Sequence, residues 1–362
     1  MNAYITFLVL IFIEYFLLLE TVKDKAKGKK RFTCLFLIEF ILFMGLRAYN
    51  IGADTEWYLY YLEKNKGITL NQIPQNTEYY EYGYSLFNNL CSYLNLDKTT
   101  FLLVVSVIEV IPYFIFVSKY SQNLLLSILT FMAFQPLNLC MGMFRQAIAI
   151  SIFFLGINGI FEKNIKKYCI CIIIASFFHT SILFLLPLYW LGKLRIHKNM
   201  VFFVPIITAV FVVFGKVISH YIVSKSHYNG YLDSKYDTTE NGTQLLTLVF
   251  LAISVLCILS IRNHSDSGTS NLIDEKLNLS IWACMLLCMC QPLVYNFVLF
   301  NRVTAALSYF LPICIPNICN ITKDEKGKMY LTVGLVVFMI LFCYRQIGSN
   351  IYINDYSFYW EV

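Results

Sequence analysis

Long apolar runs that follow one another with short breaks are the feature that most constrains this chain. Hydrophobic residues make up 58% of its 362 residues and charged residues only 14%, whereas soluble domains carry about 25% charge. So few charges cannot cover so much apolar surface in water, but lipid can cover it. The sequence therefore predicts an all-α, polytopic transmembrane helical bundle that forms a single integral membrane domain over residues 1–362.

Lysine-rich loops mark the cytoplasmic side of such a bundle under the positive-inside rule. The densest basic loop lies at residues 23–31, after the first apolar run, so that run is not a cleavable signal. The net charge of +6 then reflects membrane orientation and not nucleic-acid binding. The rule predicts about ten full spans with both termini outside, at 3–19, 32–49, 100–117, 124–140, 145–161, 199–217, 244–261, 277–297, 303–320 and 330–344.

Two longer loops fall on the outer side of this topology. Residues 50–99 are polar and rich in aromatic side chains, and residues 78–94 have the amphipathic pattern of a helix lying in the membrane interface. The second external loop covers residues 218–243.

The segment 168–191 does not fit the alternation of spans. It is long enough for one span and too short for two, yet lysines on both sides of it favour the cytoplasm. A re-entrant pair of short helices broken near His179 satisfies both conditions, and a single span with one violation of the charge rule is the alternative. Non-helical breaks persist at membrane depth only inside protein or beside a wet cavity.

Four arginines lie at the external ends of apolar runs: Arg47, Arg145, Arg302 and Arg345. The positive-inside rule disfavours all four. A guanidinium binds phosphate oxygens bidentately and stays charged, so a diphosphate is a natural partner for this group, while snorkelling to lipid head groups is the simpler explanation for any one of them. Arg145 also opens a helix whose amide groups attract anions, and Gln146 adds a donor.

Several other polar residues are candidates for the chemistry. His179 lies inside an apolar run, where an ionisable side chain indicates a function, and its chemistry suits a general base; a structural hydrogen bond is the alternative. Asp54 has the position of a helix N-cap and is also a candidate catalytic carboxylate. Glu81 stands beside tyrosines, a composition suited to sugar binding and equally to a membrane interface. Clusters with metal-ligand spacing are not visible.

Five short motifs follow one another along most of the chain: Arg47 with Gly52-x-Asp54-Thr55-x-x-Tyr58, Glu81-x-Gly83-Tyr84, Arg145-Gln146-x-x-Ala149, Phe178-His179-x-Ser181, and Asn301-Arg302 with Tyr309. In order and approximate spacing this set resembles the EpsG-like branch of the Wzy-type polysaccharide polymerases.

The resemblance implies an enzyme at the outer, periplasmic or extracellular, face of the bacterial cytoplasmic membrane. Wzy-type proteins move a growing glycan from its undecaprenyl diphosphate carrier onto another lipid-linked repeat unit, for O-antigen lipopolysaccharide, capsule or exopolysaccharide. The implied partners are the donor and acceptor repeat units and membrane lipid. A chain-length regulator is a further candidate partner. The resemblance implies a mechanism similar to that of GT-C-like glycosyltransferases with lipid-linked donors. Such a mechanism needs no metal or other cofactor.

On this hypothesis each candidate residue has a role. Diphosphate binding falls to Arg145, Arg302, Arg47 and Gln146, sugar binding to Glu81, Tyr58 and Tyr84, and proton removal from the acceptor hydroxyl to His179 or Asp54. Three other functions stay open: a flippase or transporter for lipid-linked oligosaccharides, a membrane O-acetyltransferase that modifies polysaccharide, and a scaffold subunit of an export complex.

Overall fold

Polar residues that precede the apolar runs determine where several helices begin. The side chain of Asp97 accepts a hydrogen bond from the backbone N–H of Thr100 at 3.0 Å. The same cap begins three further helices, at Asp24, Asn123 and Asn164. Each cap satisfies one of the N–H groups that the first turn of a helix leaves without an intrahelical partner.

The computed structural model of the protein describes residues 2–75, 81–197, 199–225, 229–232, 243–264, 271–322 and 324–361. Over these ranges the regular elements are helices, and an isolated antiparallel bridge joins Arg47 to Phe358. The all-α prediction is confirmed. The chain falls into two compact units, Met1–Leu186 with Phe338–Val362, and Pro187–Val337, so the single domain stays a prediction.

The helices divide between the two units in chain order. The first unit contains α1 (Asn2–Tyr15, continued by a π-helical turn, Phe16–Glu20), α2 (Lys25–Gly45), α3 (Thr55–Lys64), α4 (Tyr82–Tyr93), α5 (Lys98–Tyr120), α6 (Leu124–Ala133), α7 (Gln135–Gly142), α8 (Phe144–Gly156), α9 (Asn158–Phe161) and α10 (Ile165–Ser176). The second contains α11 (Leu188–Leu191), α12 (Met200–Ser224), α13 (Thr243–His264), α14 (Asn271–Asn296), α15 (Asn301–Ser308), α16 (Leu311–Ile318) and α17 (Glu325–Ser349), which enters the first unit at Phe338.

Six helices of the described chain are long and apolar enough to cross a membrane, and eight spans result if each of two bent helix pairs counts as one. The bends are 64° between α6 and α7 and 59° between the segments Val298–Ser308 and Leu311–Ile321. The predicted spans 32–49 and 244–261 are not among the eight. Helix α2, which covers most of 32–49, also contains the basic residues of 25–31. Helix α13, which covers 244–261, contributes only a shorter apolar stretch, Gln244–Ser260. The count of ten therefore stays a prediction.

The predicted external loops are partly helical. Residues 50–99 contain α3, a 3-10 turn (Leu70–Gln72) and α4, while residues 76–80 lie outside the described chain. The amphipathic helix expected at 78–94 is α4. The second loop is shorter than predicted because α12 continues to Ser224; its residues 226–228 and 233–242 also lie outside the described chain.

Residues 165–185 form a hairpin with His179 at its tip. After α10 ends at Ser176 the chain breaks and continues as a 3-10 helix, Thr180–Leu185, that packs against α10. The hydroxyl of Tyr168, near the start of α10, donates to the carbonyl oxygen of Leu185 at 2.6 Å. A single straight helix would separate these two residues by about 25 Å. The chain therefore turns back as a re-entrant pair requires, and the side of the membrane from which it enters stays a prediction.

Glycines set the distance between α8–α9 and the hairpin. A Cβ on Gly156 would lie 2.4 Å from the Cβ of Cys171, and one on Gly159 would lie 2.9 Å from the backbone nitrogen of Tyr168. Both distances are far below van der Waals contact, so α10 packs this closely only because the facing positions carry no side chain.

We expect Gly156→Val to push α10 away from α8 and to lower the free energy of unfolding by about 1–3 kcal/mol, the usual cost of overpacking. Thermal unfolding of the purified protein in detergent measures the effect. Gly334→Val is the matched control, because nothing lies within 4 Å of a Cβ at Gly334. Equal unfolding temperatures for the two variants would contradict the close packing of α10.

Candidate active site

Arg47 is buried in the turn that follows α2. Its guanidinium donates to the carbonyl oxygens of Ile51 at 3.3 Å and Met141 at 2.9 Å, and also to that of Met44. The guanidinium carbon lies 5.3 Å from the centroid of the Phe144 ring. A permanently charged group with a fixed fork of donors thus ties this turn to the end of α7. Diphosphate binding by Arg47 stays a prediction.

Two glycines allow the same two segments to touch. Gly52 has a φ of 102°, a left-handed conformation that favours glycine, and a Cβ there would lie 2.0 Å from the carbonyl oxygen of Met141. A Cβ on Gly142 would lie 2.4 Å from the backbone nitrogen of Ala53. This contact fixes the beginning of α3 against the residues that lead into α8.

Asp54 occupies the predicted N-cap position of α3, but its side chain makes no capping hydrogen bond. The helix start is instead held by Thr55, whose hydroxyl donates to the carbonyl oxygen of Ile51 at 2.7 Å, and by the Asp54 N–H, which donates to Gly142 at 3.2 Å. The half-buried carboxylate of Asp54 interacts electrostatically with the Tyr58 hydroxyl one turn later. Asp54 therefore lies beside Tyr58, whose ring contacts that of Tyr84.

Tyr58 brings α3 to the first turn of α8. Its ring stacks on Phe144 with centroids 4.8 Å apart and contacts Tyr84 of α4 at 5.1 Å. Its hydroxyl accepts a hydrogen bond from Nε of Arg145 at 3.4 Å. Burial raises the pKa of Tyr58 to about 12, although the charge of Arg145 acts in the opposite direction. Tyr58 is therefore a neutral hydroxyl beside a guanidinium.

Gly83 docks the beginning of α4 on the tip of the hairpin. Its N–H donates to the carbonyl oxygen of Phe177 at 2.8 Å, and a Cβ at this position would lie 2.8 Å from the Cβ of Phe177. Phe177 is two residues before His179, and Glu81 is two residues before Gly83. The glycine contact therefore places Glu81 beside His179.

Glu81 bridges the two strongest candidates for the chemistry. Its Oε1 lies 2.9 Å from Nδ1 of His179, and its Oε2 accepts a hydrogen bond from Nη1 of Arg145. The side chains of Glu81 and Arg145 are 18% and 23% exposed and that of His179 is 6% exposed. Three residues that are far apart in sequence form one charged cluster, largely shielded from solvent.

The charge state of Glu81 decides what this cluster can do. Burial raises the pKa of Glu81, but the hydrogen bond from His179 and the charge of Arg145 outweigh it and lower the pKa to about 2. An ionised carboxylate only accepts hydrogen bonds, so Nδ1 of His179 carries the proton of this hydrogen bond. This is the arrangement by which a carboxylate orients a histidine that acts as a base.

The first unit thus brings together Arg145, His179, Glu81, Tyr58 and Tyr84, with Asp54 at the edge. Gln146 is buried in the first turn of α8, where its N–H donates to Met143; the neighbouring Ala147 N–H bonds the same carbonyl, so both backbone donors are engaged within the chain. Arg302 lies half-buried in α15 of the second unit, and Arg345 is exposed in α17. The diphosphate-binding roles of Gln146 and Arg302 stay predictions.

Sequence reasoning missed two features of the site. It did not predict that both oxygens of Glu81 are engaged by Arg145 and His179, for which the spacing Glu81-x-Gly83 was the signal, and sugar binding by Glu81 stays a prediction. It also gave the C-terminal tail no role. The tail pairs with the turn after α2, since the N–H of Tyr359 donates to Leu46 at 3.0 Å and that of Ala48 donates to Ser357 at 2.8 Å.

Metal-ligating side chains do not cluster in the described part of the chain. In the part of the chain that the structure describes, no group of three or more His, Cys, Asp or Glu side chains is placed to hold a metal ion. The cluster itself pairs one carboxylate with one imidazole.

Comparison with known proteins shows a family match over most of the chain. The model of the EpsG family matches residues 29–359, which includes all five sequence motifs and most of the C-terminal tail. No curated protein and no solved structure matches the chain.

We expect Glu81→Gln to lower the free energy of unfolding by about 1.5–3 kcal/mol, because two hydrogen bonds to charged groups lose their anion. Since the pKa of Glu81 falls from 4.5 to about 2 on folding, this contribution should be complete above about pH 4.5 and disappear as the pH falls towards 2. Denaturant titration of the purified protein in detergent at several pH values measures it.

Two controls accompany this measurement. In a double-mutant cycle, Glu81→Gln and Arg145→Gln should be non-additive. Glu63→Gln breaks a surface pair with Lys66 and should cost no more than about 1 kcal/mol. Full additivity of Glu81→Gln and Arg145→Gln would contradict the pairing.

Proposed function

The chain belongs to the EpsG family, and from that premise we propose that it is a membrane glycosyltransferase that polymerises lipid-linked oligosaccharide repeat units. The family supports a polysaccharide polymerase-like role, and the apolar helices support a membrane protein. The finer proposal is that donor and acceptor repeats are linked to undecaprenyl diphosphate. The reaction then takes place at the outer face of the bacterial cytoplasmic membrane.

The observation that carries the proposal is the bridge from Glu81 to both His179 and Arg145. Transfer of a glycan from a diphosphate to a hydroxyl needs a base for the hydroxyl proton and a cation for the departing diphosphate. The cluster supplies both the base and the cation, because Glu81 contacts His179 and Arg145 at the same time. It also fixes their relative position, which is what catalysis by orientation requires.

In the proposed step the acceptor hydroxyl oxygen attacks the anomeric carbon of the donor glycan. The bond from that carbon to the diphosphate oxygen breaks, and its electron pair leaves on the diphosphate. The hydroxyl proton passes to Nε2 of His179, which later releases it to water. Glu81 stays ionised throughout and stabilises the imidazolium that forms, as an orienting carboxylate does beside a catalytic histidine.

Arg145 is the proposed electrostatic partner of the leaving group. Its charge is balanced by Glu81 in the free protein, and its side chain keeps partial solvent access. Donors aimed at developing negative charge are usually the largest single contribution to catalysis. Arg302 is proposed as the second diphosphate ligand. Arg47, which donates to three carbonyl oxygens, is proposed to support the site by bracing it.

The tyrosines and Asp54 are proposed to line the sugar side of the site. Tyr58 and Tyr84 are buried, at 1% and 0% exposure, and pack on each other, so they are proposed to support the wall of the sugar site and not to stack on the pyranose rings. Asp54 stays the alternative base and interacts with Tyr58, and His179 is preferred because the carboxylate of Glu81 lies 2.9 Å from its Nδ1. No step of this proposal requires a metal ion.

In cells that depend on this protein for their polymer, we expect His179→Ala, Arg145→Ala and Arg302→Ala each to collapse the ladder of chain lengths to single lipid-linked repeats. Loss of a base or of a charge-stabilising donor typically lowers the rate about 10²–10³-fold. Gel analysis of the lipid-linked glycans, with membrane levels of each variant checked, gives the result.

His197→Ala and Arg195→Ala are the matched controls, because both side chains are exposed and lie outside the motifs; the ladder should be unchanged. Normal polymer from Arg145→Ala and Arg302→Ala would overturn the proposal. Accumulation of repeats on the inner leaflet would indicate a flippase instead.

A further inference from the structure

The helix α4 has its polar face inside and its apolar face outside. Four polar side chains on its inner face are almost completely buried: Ser85, Asn88, Asn89 and Ser92, at 4%, 2%, 1% and 0% exposure. The opposite face exposes Tyr82, Leu86, Leu90 and Tyr93, at 49%, 37%, 44% and 40%. This is the reverse of the pattern of a surface helix in water.

The inward polar groups are matched to backbone acceptors of the same unit. Asn89 Nδ2 donates to the carbonyl oxygen of Ile73 at 2.8 Å, and the Ser92 hydroxyl donates to that of Leu62 at 2.9 Å. Asn88 Nδ2 donates to the carbonyl oxygen of Tyr58 at 3.3 Å. Because these side-chain donors are hydrogen-bonded inside the protein, α4 can lie in a medium of low polarity.

The outward stripe carries no charge. The twelve residues of α4, YGYSLFNNLCSY, contain no Asp, Glu, Lys or Arg. At its beginning the stripe adjoins Phe177, which is 50% exposed on the hairpin tip. From there the apolar surface continues along α10 through Ile170, Ile173 and Ile174.

The outward face of α3 differs from that of α4. It exposes Trp57 and Tyr60 together with the charged residues Glu56 and Glu63. Aromatic rings mixed with charges are typical of the head-group region, whereas an uncharged apolar stripe is typical of the hydrocarbon region.

We propose that the outward stripe of α4 lies in the acyl-chain layer of the bilayer, with α3 at head-group level. The partner of this surface is membrane lipid, and the inference does not depend on the reaction proposed above. Because Glu81 directly precedes Tyr82 at the start of the stripe, the cluster of Glu81, Arg145 and His179 then lies at the lipid-facing edge of the first unit.

Hydroxyl-radical footprinting of the full chain, at one copy per phosphatidylglycerol–phosphatidylcholine nanodisc, tests this. Radicals formed in water oxidise side chains that water can reach. Tyr93 on α4 and Tyr60 on α3 are compared because they are the same residue type and have similar exposed fractions, 40% and 53%. We expect Tyr93 to be oxidised at least fivefold more slowly than Tyr60, with Leu86 and Leu90 also protected. A smaller ratio would overturn the proposal, as would protection that appears only at two copies per disc, which would indicate self-association.

A second measurement keeps the test independent of oxidation chemistry. Tryptophan added by Leu90→Trp should be quenched by lipids brominated on the acyl chain, and tryptophan added by Tyr60→Trp should be quenched at least twofold less. Equal quenching of the two added tryptophans would overturn the difference in depth between α4 and α3.

Discussion

The carboxylate of Glu81 is shared by a guanidinium and an imidazole, and these three groups come from a loop, a helix start and a hairpin tip. A largely shielded arginine needs a counter-charge and a histidine needs an acceptor to fix its tautomer. Glu81 meets both needs. Because the burial cost of each group is offset only when all three are present, the cluster forces α4, α8 and the hairpin into one arrangement.

Backbone contacts bring the cluster to its position. Gly83 lets α4 approach the hairpin tip, and Gly52 and Gly142 let the start of α3 approach the residues before α8. Arg47 then donates to carbonyl oxygens on both sides of that approach. Residues 47–55 therefore hold the turn after α2 and the start of α3 against the end of α7, while the predicted diphosphate role of Arg47 and base role of Asp54 stay predictions.

The sequence was sufficient for the features that depend on local pattern. Apolar runs and lysine loops predicted an all-helical membrane protein, and conflicting charges around 168–191 predicted a break near His179. The partners of Glu81 were not predictable in this way, because they depend on where Gly83 and Phe177 meet in space. The carbonyl contacts of Arg47 were also hidden, since a buried arginine bonded to carbonyl oxygens and an arginine bonded to phosphate look alike in one sequence.

The proposed mechanism depends on Glu81 orienting His179 as the base beside Arg145. The decisive measurement is turnover of a synthetic diphosphate-linked repeat by the purified protein. For Glu81→Gln we expect kcat to fall about 10²-fold or more, because a general base loses its orientation, while KM changes little and Glu63→Gln behaves as the unmodified protein. If kcat of Glu81→Gln stays within threefold of that of the unmodified protein, Glu81 does not orient the base.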